Sequence, residues 1–239
     1  MNPDKIHKLQ QMGLGPVWQR RHLPADAAQE SEDVSELPAH APAFAGDIAG
    51  MDWDTLEATI RDCTRCGLCN GRHHAVPGVG DRSARWLFVG EGPGRNEDLQ
   101  GEPFVGPAGK LLDNMLRALD LARGENTYIA NIVKCRPVGA DGRDRPPAPD
   151  EVSACLPYLQ RQIALIRPDV IIALGKTAAV SLLGLPMDTA LGSLRGKPRE
   201  YAGVPLVITY HPAYLLRQPA DKAKVWRDLC VAKGIIDGR

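Results

Sequence analysis

The chain carries no net charge, because 29 Lys and Arg balance 29 Asp and Glu among 239 residues. No overall basic field announces a nucleic-acid partner, so any such partner would have to be held by a local patch. No apolar run approaches the roughly 18–20 residues of a membrane span, and no membrane partner is expected. The N-terminal stretch MNPDKIHKLQQMG lacks the apolar core of a secretory signal. Cytoplasmic localisation is therefore the expectation. Disulfides are rare in that compartment, so the six cysteines read as metal ligands or free thiols.

What is present centres on residues 90–109, GEGPGRNEDLQGEPFVGPAG. This stretch follows the apolar run Trp86-Leu87-Phe88-Val89. It leads into an amphipathic run on Ala108, Leu111, Leu112, Met115, Leu116 and Leu119. A strand, a glycine-rich turn and a helix in succession are how open α/β sheets build ligand sites. Gly90, Gly92 and Gly94 let a backbone come close to a ligand. Glu91, Glu97 and Asp98 add carboxylates, and Phe104 adds an aromatic face. The Lys-Ser/Thr that a P-loop places after its glycines is missing. Glycines with acids and a stacking ring suit a flat, polar, uncharged ligand better than a phosphate.

Around this stretch the chain divides at about residue 50. Residues 1–50 are rich in Ala, Pro, Glu, Asp and Ser without a sustained period, and read as a flexible N-terminal extension. Residues 51–239 read as one α/β domain. A first helix is expected over 53–62, capped by Asp52 or Asp54. Strands are expected at 86–89, 127–134, 170–174 and 204–210, with helices between them. The loop 136–149 holds four prolines and excludes regular structure. The β-α-β-α alternation predicts a parallel sheet with helices on both faces, and ligands at the carboxyl ends of the strands. Those ends carry Glu91, Asn131, Cys135, Gly175 and His211.

Cys63-x-x-Cys66 lies just before the sheet, Cys135 at the end of a strand and Cys155 in the helix that follows. Four thiolates so distributed suit a zinc or an iron–sulfur site. His73-His74 could complete a zinc site with Cys63 and Cys66. Cys230 falls on an apolar helical position and reads as a core residue. Asn131 interrupts an apolar strand, where its amide is unfavourable unless used. Arg136, Arg143, Arg145, Lys176, Arg195, Lys197, Arg199 and Arg217 follow strand ends and could form a basic rim. Leu215 and Leu216 follow His211-Pro212 and could serve either as packing or as a wedge in a base stack.

The succession GEGPGRNED, GEPFVGPAGKLL, NIVKCRP, DVIIALG and YHPAYLL resembles the family 4 uracil-DNA glycosylases, over about residues 57–236. The resemblance implies a three-layer α/β fold with a four-stranded parallel central sheet. It implies a monomeric, monofunctional glycosylase that takes uracil from single- or double-stranded DNA after flipping the base. It implies a 4Fe-4S cluster on Cys63, Cys66, Cys135 and Cys155. The uracil pocket would comprise Gly90, Glu91, Gly92, Glu97, Phe104, Asn131 and His211. Glu91, Asn131 and His211 would act in catalysis, and Leu215 or Leu216 would fill the gap left by the base. Better-known superfamily members place an Asp where this chain has Gly92. Water placement then falls to Glu91, the favoured residue, or to Glu97, or else the reaction proceeds largely by dissociation. The same departure leaves room for a non-catalytic uracil-DNA binder using the same cleft. The KRRIH insertion of relatives that trap DNA covalently is missing, so no histidine–sugar crosslink is expected.

Overall fold

The computed structural model describes residues 46–238. Most of the expected N-terminal extension lies outside them. Residues 46–50 form a 3-10 turn whose Ile48 is buried. No helix among the described residues is long and apolar enough to cross a membrane.

Six strands form one mixed sheet: β1 (Val79–Gly80), β2 (Trp86–Gly90), β3 (Thr127–Asn131), β4 (Val170–Leu174), β5 (Arg199–Tyr201) and β6 (Val204–Thr209). Their order is β1-β3-β2-β4-β6-β5. The inner four are parallel, as the alternating pattern requires. The expected four-stranded sheet is thus corrected to six strands, with an antiparallel strand at each edge. Both additions are two or three residues long, too short to show a period. β5 joins β6 through Ala202-Gly203, both at positive φ, the twist that suits a two-residue hairpin. The inner strand β3 is also shorter than the expected 127–134. It leaves the ladder after Asn131, and Ile132 and Val133 donate instead to the carbonyls of Gly90 and Glu91.

Eight helices accompany these strands among the described residues: α1 (Trp53–Arg61), α2 (Arg95–Gln100), α3 (Pro107–Ala118), α4 (Pro149–Ile166), α5 (Lys176–Leu183), α6 (Leu191–Leu194), α7 (Pro212–Arg217) and α8 (Lys222–Asp237). Asp52 caps α1 by accepting from the Thr55 amide at 2.9 Å. Alternate strand residues face opposite layers. Leu87, Val89, Ala130, Ile171, Ala173 and Ile208 pack with Leu56, Ile60, Leu159 and Val180 of α1, α4 and α5. Phe88, Ile129, Ile172, Leu174 and Val207 pack with Leu112, Leu116, Leu215 and Leu229 of α3, α7 and α8. The result is the expected three layers. In α8 the buried face is Val225, Asp228, Leu229, Ala232 and Ile236. Cys230, expected in the core, is exposed because it lies off that face.

Candidate active site

The carboxyl ends of β2, β3, β4 and β6 open on a cleft of about 680 Å³. Glu91, Gly92, Glu97, Phe104, Asn131 and His211 all line it. The parallel register sets Gly90 beside Asn131. A Cβ on Gly90 would lie 2.4 Å from Asn131 Oδ1 and 2.6 Å from Phe104 Cζ. Glycine at 90 therefore lets a carboxamide and an aromatic ring meet over the end of a strand.

Asn131 is buried, and its Oδ1 has no hydrogen-bond partner. Such an orphaned acceptor costs about 1–3 kcal/mol. Phe104 stands over the same spot, its ring 5.5 Å from that of His211 and inclined by 30°. It has φ +56°, a left-handed conformation that costs a non-glycine residue about 1–3 kcal/mol. The turn is held in place from outside. Glu97 Oε1 accepts from the amides of Val105 (3.0 Å) and Gly106 (2.9 Å). Arg123 donates to the carbonyls of Pro103 and Phe104, each at 2.8 Å. One oxygen of Glu97 is thus committed to shaping the wall.

Glu91 accepts a short hydrogen bond from the Thr177 hydroxyl. Burial raises its carboxyl above the ordinary value, and the Thr177 bond partly offsets this. His211 precedes α7, and its Nδ1 accepts from the Ala213 amide at 3.1 Å. Burial and then the Arg217 charge lower the ring to about 4, against a weaker opposing effect of Glu97. His211 is therefore neutral at pH 7, and the proton sits on Nε2, the free nitrogen. Gly175, at φ +94°, lets β4 turn past this residue: a Cβ there would lie 3.0 Å from that of His211.

The two leucines separate. Leu215 is 1% exposed within the α3/α8 layer, which corrects its assignment as a wedge: it cannot leave that core to enter a base stack. Leu216, the next residue on α7, is 50% exposed. The basic rim also separates. Arg136 pairs with Asp144, Arg145 with Glu151 and Arg195 with Asp228, each at 2.6 Å. Lys176 and Arg217 line the cleft with no carboxylate partner among the described residues, as does Arg95 of α2.

Thr177, Arg95 and Arg123 were not anticipated. Thr177 stands three residues beyond the end of β4, and Arg95 opens the helix after the glycine turn, so position alone could have flagged both. No local signal pointed to Arg123.

A second pocket is lined by Cys63, Cys66, Cys69, Cys135 and Cys155 with Arg72 and Tyr158. All these cysteines are free. Arg72 Nη1 approaches Cys135 Sγ at 3.3 Å, and the Lys134 amide approaches Cys155 Sγ at 3.2 Å. Burial pushes the Cys155 thiol up to about 12, so without a metal partner it would be protonated and inert. No three His, Cys, Asp or Glu side chains gather at single-ion spacing among the described residues. Several thiols lining one cavity are a donor set that suits either zinc or an iron–sulfur group. His73 and His74 are engaged elsewhere, on Asp98: His73 Nδ1 lies 2.6 Å from its carboxylate, and His74 Nδ1 lies 3.0 Å from its carbonyl. They do not line the cysteine pocket.

An α/β sheet whose strand ends open on a cleft, with an unpartnered buried Asn131 oxygen inside it, belongs to the class of open α/β proteins that bind ligands at the carboxyl ends of their strands. A family model described as the uracil DNA glycosylase superfamily matches residues 77–230. The chain is 44% identical over 190 residues to the type-4 uracil-DNA glycosylase of Pyrobaculum aerophilum, covering 77% of this chain and 94% of that protein. It is 43% identical to the type-4 enzyme of Thermotoga maritima over 77% of this chain and 94% of that one. The type-4 enzyme of Archaeoglobus fulgidus is 44% identical over 70% and 84% respectively. The chain belongs to the uracil DNA glycosylase superfamily, in its type-4 branch.

Proposed function

We propose that this protein removes uracil from DNA by hydrolysing the N-glycosidic bond, the first step of base excision repair. One observation carries the reading: the buried Asn131 Oδ1 lacks a partner in a recess walled by Phe104 and His211. Uracil presents an N3–H donor beside an O4 acceptor. A carboxamide matches both, with its oxygen on N3–H and its NH₂ on O4. Cytosine reverses the pattern and would leave buried groups unpaired, at about 1–3 kcal/mol each.

The base is flipped from the stack, at a cost of a few kcal/mol, and packs against Phe104. Leu216 fills the gap it leaves. As the bond from C1′ to N1 breaks, its electron pair passes to the uracil ring and the sugar becomes cationic. The neutral His211 donates from Nε2 to the anion forming at the uracil O2, as a donor in an oxyanion hole does. The backbone N–H groups of residues 90–92 would add to the same stabilisation. Glu91, held by Thr177, stabilises the sugar cation and takes a proton from the water that bonds to C1′. Glu97 contributes by holding the Phe104 turn. The cleft, larger than a free base needs, suits a strand of DNA held by Arg95, Lys176 and Arg217. The protein acts as a monomer of one catalytic domain, with residues 1–50 an extension to it.

Cys63, Cys66, Cys135 and Cys155 would hold a 4Fe-4S cluster, which supplies a structural clamp on the chain that carries Asn131. Cys69 lines the same pocket and is spare in this assignment. The test is a uracil-containing oligonucleotide incubated with the protein and then cleaved by alkali. Strand cleavage at the uracil is expected. Tight binding without an abasic product would favour the non-catalytic binder that Gly92 leaves room for.

A further inference from the structure

We infer that Arg123 is a positioning residue for the base-stacking ring: it holds the backbone of Phe104 in the conformation that presents the ring to uracil. The inference rests on the proposed stacking role of Phe104. Arg123 lies outside every motif, at the tip of a tight turn between Ala122 and Glu125, whose ends are bridged. From there its guanidinium reaches back to the segment before α3. Nη1 donates to the Pro103 carbonyl and Nη2 to the Phe104 carbonyl, each at 2.8 Å. The guanidinium is itself anchored by Asp113 of α3, whose Oδ1 accepts from Nε at 3.2 Å and from Nη2 at 3.0 Å. A planar fork can serve two carbonyls and a carboxylate together, whereas a lysine offers one charge at one point.

The peptide unit between Phe104 and Val105 is gripped at both ends. Its oxygen is held by Arg123, and its N–H by Glu97 Oε1 at 3.0 Å. On the inner side α3 comes so close that a Cβ on Gly109 would overlap the Phe104 carbonyl oxygen. Phe104 is a non-glycine residue at φ +56°, a conformation that persists only where its surroundings impose it. Released from Arg123, the segment is free to relax toward ordinary φ values and swing the ring off the recess. Arg123 touches neither the recess nor the reacting atoms, and it does not line the cleft.

The experiment compares the full chain with its Arg123→Met and Arg123→Lys variants, each also in a Phe104→Ala background. In the native background, Arg123→Met should slow single-turnover uracil excision by about tenfold to a hundredfold, the scale of a misplaced binding group. Arg123→Lys should recover part of that loss. In the Phe104→Ala background the same changes should have little further effect, since the ring to be positioned is gone. Equal losses in both backgrounds would overturn the inference. Hydrogen exchange gives a readout that needs no catalysis: the amides of Phe104, Val105, Gly106, Ala108 and Gly109 should exchange about tenfold faster in Arg123→Met, with the strands unchanged. Unchanged exchange there would also overturn it. Failure of the unsubstituted chain to excise uracil would instead refute the proposed function, and the exchange result would still decide the role of Arg123. Should Arg123→Met not fold, Arg123→Lys supplies both readouts.

Discussion

A Cβ on Gly92 would lie 2.7 Å from Cγ2 of Val133, a buried side chain that cannot swing away. The chain lacks an Asp at this position, and the contact explains why one cannot simply be restored. Gly92→Asp should destabilise the fold by about 1–3 kcal/mol, the usual cost of overpacking, and lower uracil excision. Adding Val133→Ala opens the space and should return part of the lost stability. Denaturant midpoints of the single and double variants measure this. A fully stable single variant would refute the steric account.

On the proposed role of Glu91, its ionised carboxylate is the working form and sets the acid limb of the pH–rate profile. Burial places its pKa above the ordinary 4.5, with the Thr177 hydroxyl holding it down. Activity should thus fall as pH drops through that raised value. Thr177→Val removes the restraint, so the acid limb of kcat/KM should move to higher pH. An unmoved limb would exclude Glu91 as the titrating base.

His211 leaves a mark on stability. Its folded pKa of about 4 lies below the ordinary 6.5. Between these values the unfolded chain binds a proton that the folded ring refuses. Stability therefore falls as pH drops from 6.5 toward 4, and His211 contributes no pH dependence above that window. Denaturant melts of wild type and His211→Gln across pH 4–8 should differ in slope only inside it. Parallel curves would refute the assigned neutral state.

The legibility of this chain follows the range of its interactions. The four inner strands are continuous apolar runs, because parallel strands are buried on both faces, and their carboxyl ends then locate Glu91, Asn131 and His211. The edge strands are too short to carry a period. α7 has six residues, too few for the sequence to show which of two adjacent leucines faces the sheet. Thr177 reaches Glu91 across 86 positions, and Arg123 reaches Phe104 across 19. Such pairs are made by the fold and leave no local trace. The left-handed backbone of Phe104 is likewise invisible, since nothing in its residue type requires it.

Leu215 and Leu216 should behave as opposites. Leu215→Ala opens a cavity in a packed layer and should cost about 2–5 kcal/mol of stability. Leu216→Ala lies on the surface and should leave stability within about 0.5 kcal/mol. If Leu216 fills the gap behind a flipped base, its loss should slow excision from duplex DNA more than from single strands, where no stack needs holding open. Thermal melts and paired single-turnover assays read both. Equal slowing on the two substrates would count against a wedge.

The cations of the cleft can be sorted by salt. Arg95, Lys176 and Arg217 face the groove without a carboxylate partner among the described residues, whereas Arg136, Arg145 and Arg195 are each held by an acid. A free cation that meets a phosphate releases a counterion on binding, and a cation already paired releases little. The slope of log K against log salt should therefore shrink by about one for each of Arg95→Ala, Lys176→Ala and Arg217→Ala that removes a phosphate contact. Arg136→Ala should leave the slope nearly unchanged. Fluorescence anisotropy with a uracil-containing oligonucleotide over a range of salt measures it. Equal slopes for all four variants would mean that the groove does not track the DNA backbone.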